Sequence, residues 1–252
     1  MPDNGPITIT VISPVFNNGS GIAALLQQVQ DVLSALQVVP QIILVDDGSA
    51  DHSWEEITRI GPSIAGLCAY RHVRNMGQHQ AIYTGLQLAK GDWVVVMDAD
   101  LQDNPAYIAA FFESCTKRQR SILANRHTKK NRPYYVISSY LLNTLLSALV
   151  GLRMHYRTGN FGMFMRSTID KVRSMSPHNF YFPVAVRLAE GRIEHIDVEF
   201  RLRYDGDSSY TFSKHISLAL QAIRFAMSWH GRKGTFSVDE RIQERYINSD
   251  HP

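Results

Sequence analysis

Residues 92–105 read DWVVVMDADLQDNP, an apolar run that ends in three acidic residues. The run is short and rich in valine, which is typical of a buried strand, and Asp98, Asp100 and Asp103 begin where that strand should end. Acidic side chains this close together repel one another, so a folded protein keeps them only if something offsets the repulsion. We interpret the stretch as one strand of a parallel sheet that leads into a polar site at its carboxyl end.

Alternating strands and helices surround this stretch. Strands are predicted over 7–16, 41–47, 67–73 and 92–98, and helices over 21–37, 54–60 and 78–89. Because these strands are nearly continuous apolar runs, we expect an α/β domain with a mostly parallel central sheet and helices on both faces.

The pattern changes after residue 105. Helices are predicted over 105–117, 133–151 and 214–229, and strands over 121–126, 161–166 and 193–203. At the start of the first of these helices we interpret Asp103 as an N-cap, followed by Pro105 as an early helical residue. The tail, 231–252, is polar and is expected to be loosely held.

The composition is that of a folded globular protein. Of the 252 residues, 44% are hydrophobic and 19% are charged, which excludes a disordered chain. Cys68 and Cys115 are too few for a disulfide framework and lack metal-ligand spacing, which favours a reducing cytosol. We expect no signal peptide and no membrane-spanning helix. The basic residues are dispersed and the net charge is only +3, which argues against a nucleic-acid partner.

Polar residues follow three of the predicted strands, at Pro14–Asn18, Asp46–Ser49 and Asp98–Gln102. The carboxyl ends of parallel strands meet at one edge of a sheet, so we expect one site there. Asp98 and Asp100 lie two positions apart and would project to the same side of an extended segment. Paired carboxylates suit Mg²⁺ or Mn²⁺ shared with the phosphates of a ligand, although solvated loop acids remain an alternative.

Six segments occur in an order that points to one family: SPVFNN (13–18), ILVDDGSADHS (43–53), RNMGQHQAIYTGLQLAKGD (74–92), VMDADLQDNP (96–105), NR (125–126) and RYDGDSSYTFSK (203–214). As a set they resemble family 2 glycosyltransferases of the Rossmann-like GT-A fold. More narrowly, they resemble the polyprenyl-phosphate sugar transferase branch, the relatives of dolichol-phosphate mannose synthase. The resemblance implies one domain over 1–230, with a nucleotide-sugar-binding half (1–105), an acceptor half (106–230) and a C-terminal helical segment.

The resemblance also implies residue roles. The donor nucleotide sugar would be bound by Pro14, Phe16, Asn18, Asp46, Asp47 and Asp98. Asn18 stands where the family usually has a glutamate, so a ribose contact is weakened or made by an amide. The metal and the diphosphate would be held by Asp98, Asp100 and Gln102. The catalytic set would be Asp98, Asp100, Arg126 and Arg203. The acceptor phosphate and a loop over the site would involve Arg126, Arg132, Arg203, Ser208, Ser209, Tyr210 and Lys214.

The acceptor is suggested by a missing acid. Family members that use an alcohol acceptor place a carboxylate base in the region that aligns with 155–163, where this chain reads HYRTGNFGM and only His155 could serve as a base. A phosphate monoester needs no base, because it is mostly dianionic near neutral pH. We therefore expect inverting transfer of a sugar to undecaprenyl phosphate or a related polyprenyl phosphate.

Several alternatives stay open at this point. The acceptor could be a hydroxyl of a lipid-linked or surface glycan, or the protein could bind a nucleotide sugar without catalysis. Residues 134–152 and 216–229 either pack on the core or lie in a membrane interface. Many relatives continue into transmembrane helices and this sequence does not. We therefore expect a cytoplasmic protein at the inner face of the membrane that reaches a lipid acceptor peripherally, uses a partner membrane protein, or acts on a more soluble acceptor. Its oligomeric state is left open.

Overall fold

The computed structural model describes residues 5–127, 144, 147–148, 158–191, 193–199, 212–228 and 237–248. The strands within these residues are β1 Thr8–Val15, β2 Val39–Asp46, β3 Leu67–His72, β4 Trp93–Val96, β5 Ile122–His127, β6 Thr158–Met165, β7 Glu194–Glu199 and β8 Ile242–Ile247. The α-helices are α1 Gly19–Ala35, α2 Ser53–Ile60, α3 Gln78–Leu88, α4 Tyr107–Arg118, α5 Arg166–Arg173, α6 Phe182–Glu190 and α7 Phe212–Ser228.

All eight described strands belong to one sheet, in the order β7-β5-β6-β4-β1-β2-β3-β8. Strands β1 to β4 are parallel to one another, as the sequence predicts. Strand β6 runs antiparallel to β4, and β8 runs antiparallel to β3. The sheet is therefore mostly parallel, and β1, β2 and β4 direct their carboxyl ends to the same edge.

Helices cover both faces of this sheet, and the side chains of β4 show why. Val95 packs on the face that carries α1, α2 and α4. Val94 and Val96 point to the opposite face, which carries α3, α5, α6 and α7. Successive residues of a strand face opposite sides, so a run of valines is apolar on both and needs cover on both. The predicted two-sided architecture is confirmed.

The prediction of a loosely held C-terminal tail is wrong for residues 237–248. Strand β8 pairs with the outer edge of β3, and Asn248 Nδ2 donates hydrogen bonds to the carbonyl oxygens of Gly61 (3.2 Å) and Ile64 (2.9 Å). The half-buried positions of β8 are Ile242, Glu244 and Tyr246, a period of two that the polar composition hid.

The predicted apolar helices have different outcomes. Most of the predicted helix 133–151 lies outside the described residues. Within it, the structure describes Thr144, Ser147 and Ala148, which are helical. Helix α7 packs on the core through Ala222 and Phe225, while its other side exposes apolar side chains. Across the described part of the chain, no helix has the length and apolar content that crossing a membrane requires.

Candidate active site

The polar ends of β1, β2 and β4 lie together, as predicted. The backbone N–H of Asn17 donates to Ser49 Oγ at 2.9 Å, which joins the end of β1 to the loop after β2. The side chain of Asn18 donates from Nδ2 to the carbonyl oxygen of Ala99 at 2.8 Å, which joins the same end to the acidic stretch after β4. The Asn18 amide therefore holds the backbone between Asp98 and Asp100.

Asp98 is held by three side chains. Gln78 Nε2 donates to Oδ1 at 2.7 Å, and Asn160 Nδ2 donates to the same oxygen at 3.3 Å. Arg126 Nη2 lies 3.3 Å from Oδ2. These contacts come from α3, β6 and β5, so three separate elements fix one carboxylate, whose side chain keeps 22% of its surface exposed.

Asp103 is a buried partner of Arg126, and its predicted role as a helix cap is wrong. Its Oδ2 lies 2.7 Å from Arg126 Nη2 and accepts a hydrogen bond from the Asp98 N–H at 3.3 Å. Helix α4 begins only at Tyr107, and the side chain that caps the turn before it is Asn104. Burial raises the pKa of Asp103 to about 6, and the charge of Arg126 only partly opposes this rise.

Arg126 lies between the two carboxylates, and its predicted contact with the acceptor phosphate stays a prediction. Its burial alone would lower its pKa, but the charges of Asp103 and Asp98 outweigh burial and raise the pKa. A Cβ at Gly159 would come within 2.4 Å of Arg126 Nη1, so only glycine lets the guanidinium lie there. The acids after β4 thus have an arginine as their counter-ion in the folded chain, which begins to explain why they are tolerated.

The donor set fits a hard divalent cation. Asp98 and Asp100 supply carboxylate oxygens, and the turn after them is tight: Leu101 has a φ of 60°, and the Gln102 N–H donates to Asp100 Oδ1 at 3.1 Å. Among the described residues, no group of three or more acidic, histidine or cysteine side chains is assembled as a metal cage. Such a site suits an ion that keeps several water or phosphate ligands, as Mg²⁺ and Mn²⁺ do. Metal binding by Asp98, Asp100 and Gln102 stays a prediction.

The predicted donor residues Asp46 and Asp47 differ in what they contact. Asp47 is 2% exposed, and its carboxylate is bonded to the backbone of the turn before α3 and to His72. Asp46 is also buried, and burial raises its pKa. Its Oδ2 has an ion pair with Arg71 Nε at 3.2 Å but no hydrogen bond within the described residues. Both oxygens of Asp47 therefore accept hydrogen bonds from the protein, whereas Asp46 Oδ2 lies buried beside the Arg71 guanidinium.

The remaining predicted site residues differ in how far the structure describes them. Pro14 is buried within β1, while Phe16 is 48% exposed just beyond it and is accessible to a ligand. The predicted residues outside the described part of the chain are Arg132, His155, Arg203, Ser208, Ser209 and Tyr210. Lys214 lies in α7, where the course of the helix is described but not that side chain. The roles of these residues remain predictions.

His79, in the first turn of α3, is buried. Its ring centroid lies 4.4 Å from that of Tyr181, and its Nδ1 has no hydrogen-bond partner in the described structure. Burial lowers its pKa from 6.5 to about 4, against the opposing charge of Asp98. His79 is therefore neutral at neutral pH.

His79 should make stability depend on pH. Because its pKa is lower in the folded chain, the unfolded chain binds the proton first as pH falls below 6.5. We expect about 3 kcal/mol of unfolding free energy to be lost between pH 7 and pH 4 from this group. Urea unfolding of wild type and His79→Phe across that range measures it, since other groups titrate in both proteins. Equal losses in the two proteins would contradict the assignment.

Sequence comparison identifies the family. The family model described as "Glycosyl transferase family 2" matches residues 10–173, which is more than half of the chain. The chain belongs to glycosyl transferase family 2. The match includes Asp46, Asp98 and Arg126, and this family 2 enzyme is accordingly a glycosyltransferase.

Curated relatives narrow the resemblance. The family 2 enzyme is 28% identical over 212 residues to an undecaprenyl-phosphate 4-deoxy-4-formamido-L-arabinose transferase from Aeromonas hydrophila, and 29% identical over 217 residues to the one from Proteus mirabilis. Each alignment covers 83% of this chain and 65% of the relative, so the chain spans less than two thirds of their length. The predicted resemblance to polyprenyl-phosphate sugar transferases is confirmed.

Solved structures confirm the fold. Glucosyl-3-phosphoglycerate synthase from Mycobacterium tuberculosis, in complex with Mn²⁺ and UDP, matches with a TM-score of 0.62 and 16% identity over 91% of this chain and 82% of that one. Mannosyl-3-phosphoglycerate synthase from Rubrobacter xylanophilus matches with a TM-score of 0.63 and 13% identity over 96% and 87%. At these identities the likeness shows the GT-A fold alone.

Proposed function

We propose that this family 2 glycosyltransferase moves a sugar, with inversion, from a nucleoside diphosphate sugar to undecaprenyl phosphate or a related polyprenyl phosphate in cell-surface polysaccharide synthesis. The proposal is carried by the identity of the β6 residue that contacts Asp98. This residue is Asn160, an amide whose Nδ2 lies 3.3 Å from Asp98 Oδ1. An amide cannot accept the proton of an alcohol, and a phosphate acceptor has none to give up near neutral pH.

The donor would lie over the edge formed by β1, β2 and β4. Phe16 offers an exposed ring to the base, while Asp46 lies buried at the end of β2, and its contact with the base or ribose stays a prediction. The diphosphate would reach Asp98 and Asp100. A bound Mg²⁺ or Mn²⁺ there would supply Lewis-acid stabilisation of the leaving diphosphate.

The protein's own side chains would orient this site. Gln78 and Asn160 donate to one oxygen of Asp98 and fix its carboxylate, and Arg126 brings a positive charge beside it. A phosphate oxygen of the acceptor would attack C1 from the face opposite the diphosphate. The new bond forms as the bond from C1 to the diphosphate oxygen breaks, and no proton has to be removed.

The acceptor's chemistry would bring the protein to a membrane. A polyprenyl chain stays in the bilayer, and α7 exposes Leu220 and Met227, 44% and 62% accessible, on the side away from the core. We place the protein in peripheral contact with the inner face of the cell membrane.

A transfer assay tests the proposal. Purified protein is given Mn²⁺ or Mg²⁺, vesicles that contain undecaprenyl phosphate, and a panel of UDP-, GDP- and dTDP-sugars, with vesicles lacking the lipid phosphate as control. Mass spectrometry of the organic extract should show a sugar-phosphate lipid, and protein should sediment with the vesicles. Nucleotide release without that lipid would refute the phosphate acceptor and direct attention to a glycan hydroxyl and to His155.

A further inference from the structure

A buried histidine that the proposed mechanism does not use lies behind the donor edge. His72 is the last residue of β3, and its side chain is completely buried. Its Nδ1 lies 2.8 Å from Asp47 Oδ1, and its Nε2 lies 3.0 Å from Thr84 Oγ1 on α3. Asp47 and Thr84 are 2% and 0% exposed, so the three side chains form a polar chain inside the protein.

The chemistry of Asp47 and Thr84 determines which atoms donate and which accept in these hydrogen bonds. The Asp47 carboxylate can only accept hydrogen bonds, so His72 Nδ1 must be the donor. In the neutral ring Nε2 is then an acceptor, and the Thr84 hydroxyl donates to it. Asp47 thereby selects the tautomer of His72, and the Thr84 hydroxyl supplies the hydrogen bond that Nε2 accepts in that tautomer.

The series of hydrogen bonds continues from Asp47 to the site. The two carboxylate oxygens of Asp47 accept hydrogen bonds from the backbone N–H groups of Met76, at 2.9 Å, and Gly77, at 2.7 Å. Gly77 has a φ of 94°, a conformation that favours glycine, and it immediately precedes α3. The next residue is Gln78, whose Nε2 donates to Asp98 at 2.7 Å. An unbroken series of contacts thus runs from Thr84 to the carboxylate of Asp98.

We propose that His72 and Thr84 are positioning residues of the donor and metal site. They act through Asp47, which fixes the turn at Met76 and Gly77 and so holds Gln78 against Asp98. The effect on donor binding rests on the proposed function, but the effect on the turn does not. Asp47 is accordingly a support for the site rather than a direct contact of the donor.

Removing the Thr84 hydroxyl should loosen the turn and weaken ligand binding. Thr84→Val keeps the shape of the side chain but leaves His72 Nε2 without its donor. Loss of supporting hydrogen bonds behind a metal site typically costs about 10–100-fold in metal affinity or activity. We expect the dissociation constant of UDP in the presence of Mn²⁺ to rise about tenfold, and Thr84→Ser to restore it.

The controls separate positioning from stability. Thr168 is also a buried helical threonine with a bonded hydroxyl, which donates to Glu190 Oε2 at 2.9 Å and takes no part in the contacts between Thr84 and Asp98. Thr168→Val should lose similar stability in urea without changing nucleotide binding. Hydrogen–deuterium exchange of the peptide that contains Met76 and Gly77 is the readout that needs no substrate. If Thr84→Val does not fold, His72→Gln takes its place.

The proposal predicts faster exchange at Met76 and Gly77 in Thr84→Val, normal exchange in Thr84→Ser, and normal exchange at this turn in Thr168→Val. Unchanged exchange in folded Thr84→Val, or an equal change in Thr168→Val, would overturn it. If wild type binds no nucleotide while exchange changes as expected, the proposed function fails and the positioning of the turn is still supported.

Discussion

Asp98→Asn is expected to lower kcat for sugar transfer about a thousandfold at saturating Mn²⁺, with little loss of stability. Asparagine keeps the shape of the side chain and can still accept from Gln78, now 2.7 Å from Oδ1, and from Asn160, at 3.3 Å. It lacks the negative charge that would hold a divalent cation. Removing that charge relieves its repulsion of Asp103 but also removes its ion pair with Arg126, 3.3 Å away, so the two effects on the free energy of unfolding oppose each other. The transfer assay and urea unfolding measure the two effects.

The controls test whether position or charge number matters. Asp31 is an exposed aspartate of α1 whose Oδ1 accepts from Gln27 at 2.8 Å, and Asp31→Asn should leave turnover unchanged. Asp100→Ala should also abolish metal-dependent turnover in a folded protein. Turnover of Asp98→Asn within tenfold of wild type would refute the metal role.

The fold could be predicted because its strands are buried on both faces. A run such as WVVV is apolar on both sides of a strand and therefore predicts a strand covered on both faces. The alternation of such strands with helices then predicts a parallel sheet. Strand β8 was missed because half of its residues face solvent and Glu244 occupies an inward position. That glutamate is tolerated there because it pairs with Arg71 at 3.1 Å, a contact between residues far apart in sequence.

Only the site residues that lie at strand ends or in recognisable motifs could be predicted from the sequence. The edge at Asp46 and Asp98 follows from the topology. Asp103, two residues before a proline, has the local pattern of a cap, and only the tertiary structure brings Arg126 to it. Thr84 lies within the segment 74–92 and His72 just before it, but the segment gives neither residue a role, since a histidine at a strand end and a threonine in a helix are common in most proteins. Their roles depend on which side chain lies opposite, and periodicity does not encode that.

Arg126→Gln is expected to lower the free energy of unfolding by about 3–5 kcal/mol, because it leaves the buried carboxylate of Asp103 without its cation. The side chains involved are 18% and 0% exposed, so solvent screens the pair little. Urea unfolding measures the loss. The double variant Arg126→Met with Asp103→Leu should recover most of it, since a buried ion pair can often be replaced by apolar groups of similar size.

Turnover of the same variants decides whether Arg126 is more than a counter-ion. If it only neutralises Asp98 and Asp103, Mn²⁺ at high concentration supplies the missing charge, and Arg126→Gln should transfer sugar normally. If it also meets the acceptor phosphate, the KM for undecaprenyl phosphate should rise while UDP affinity holds, because a bidentate guanidinium contact has no substitute in glutamine. We expect the second result, also in the stable double variant. Gly159→Ala should also raise the KM for undecaprenyl phosphate, because its Cβ would displace the guanidinium without removing any charge. Normal transfer by both Arg126→Gln and Gly159→Ala would leave Arg126 as the counter-ion of the acids alone.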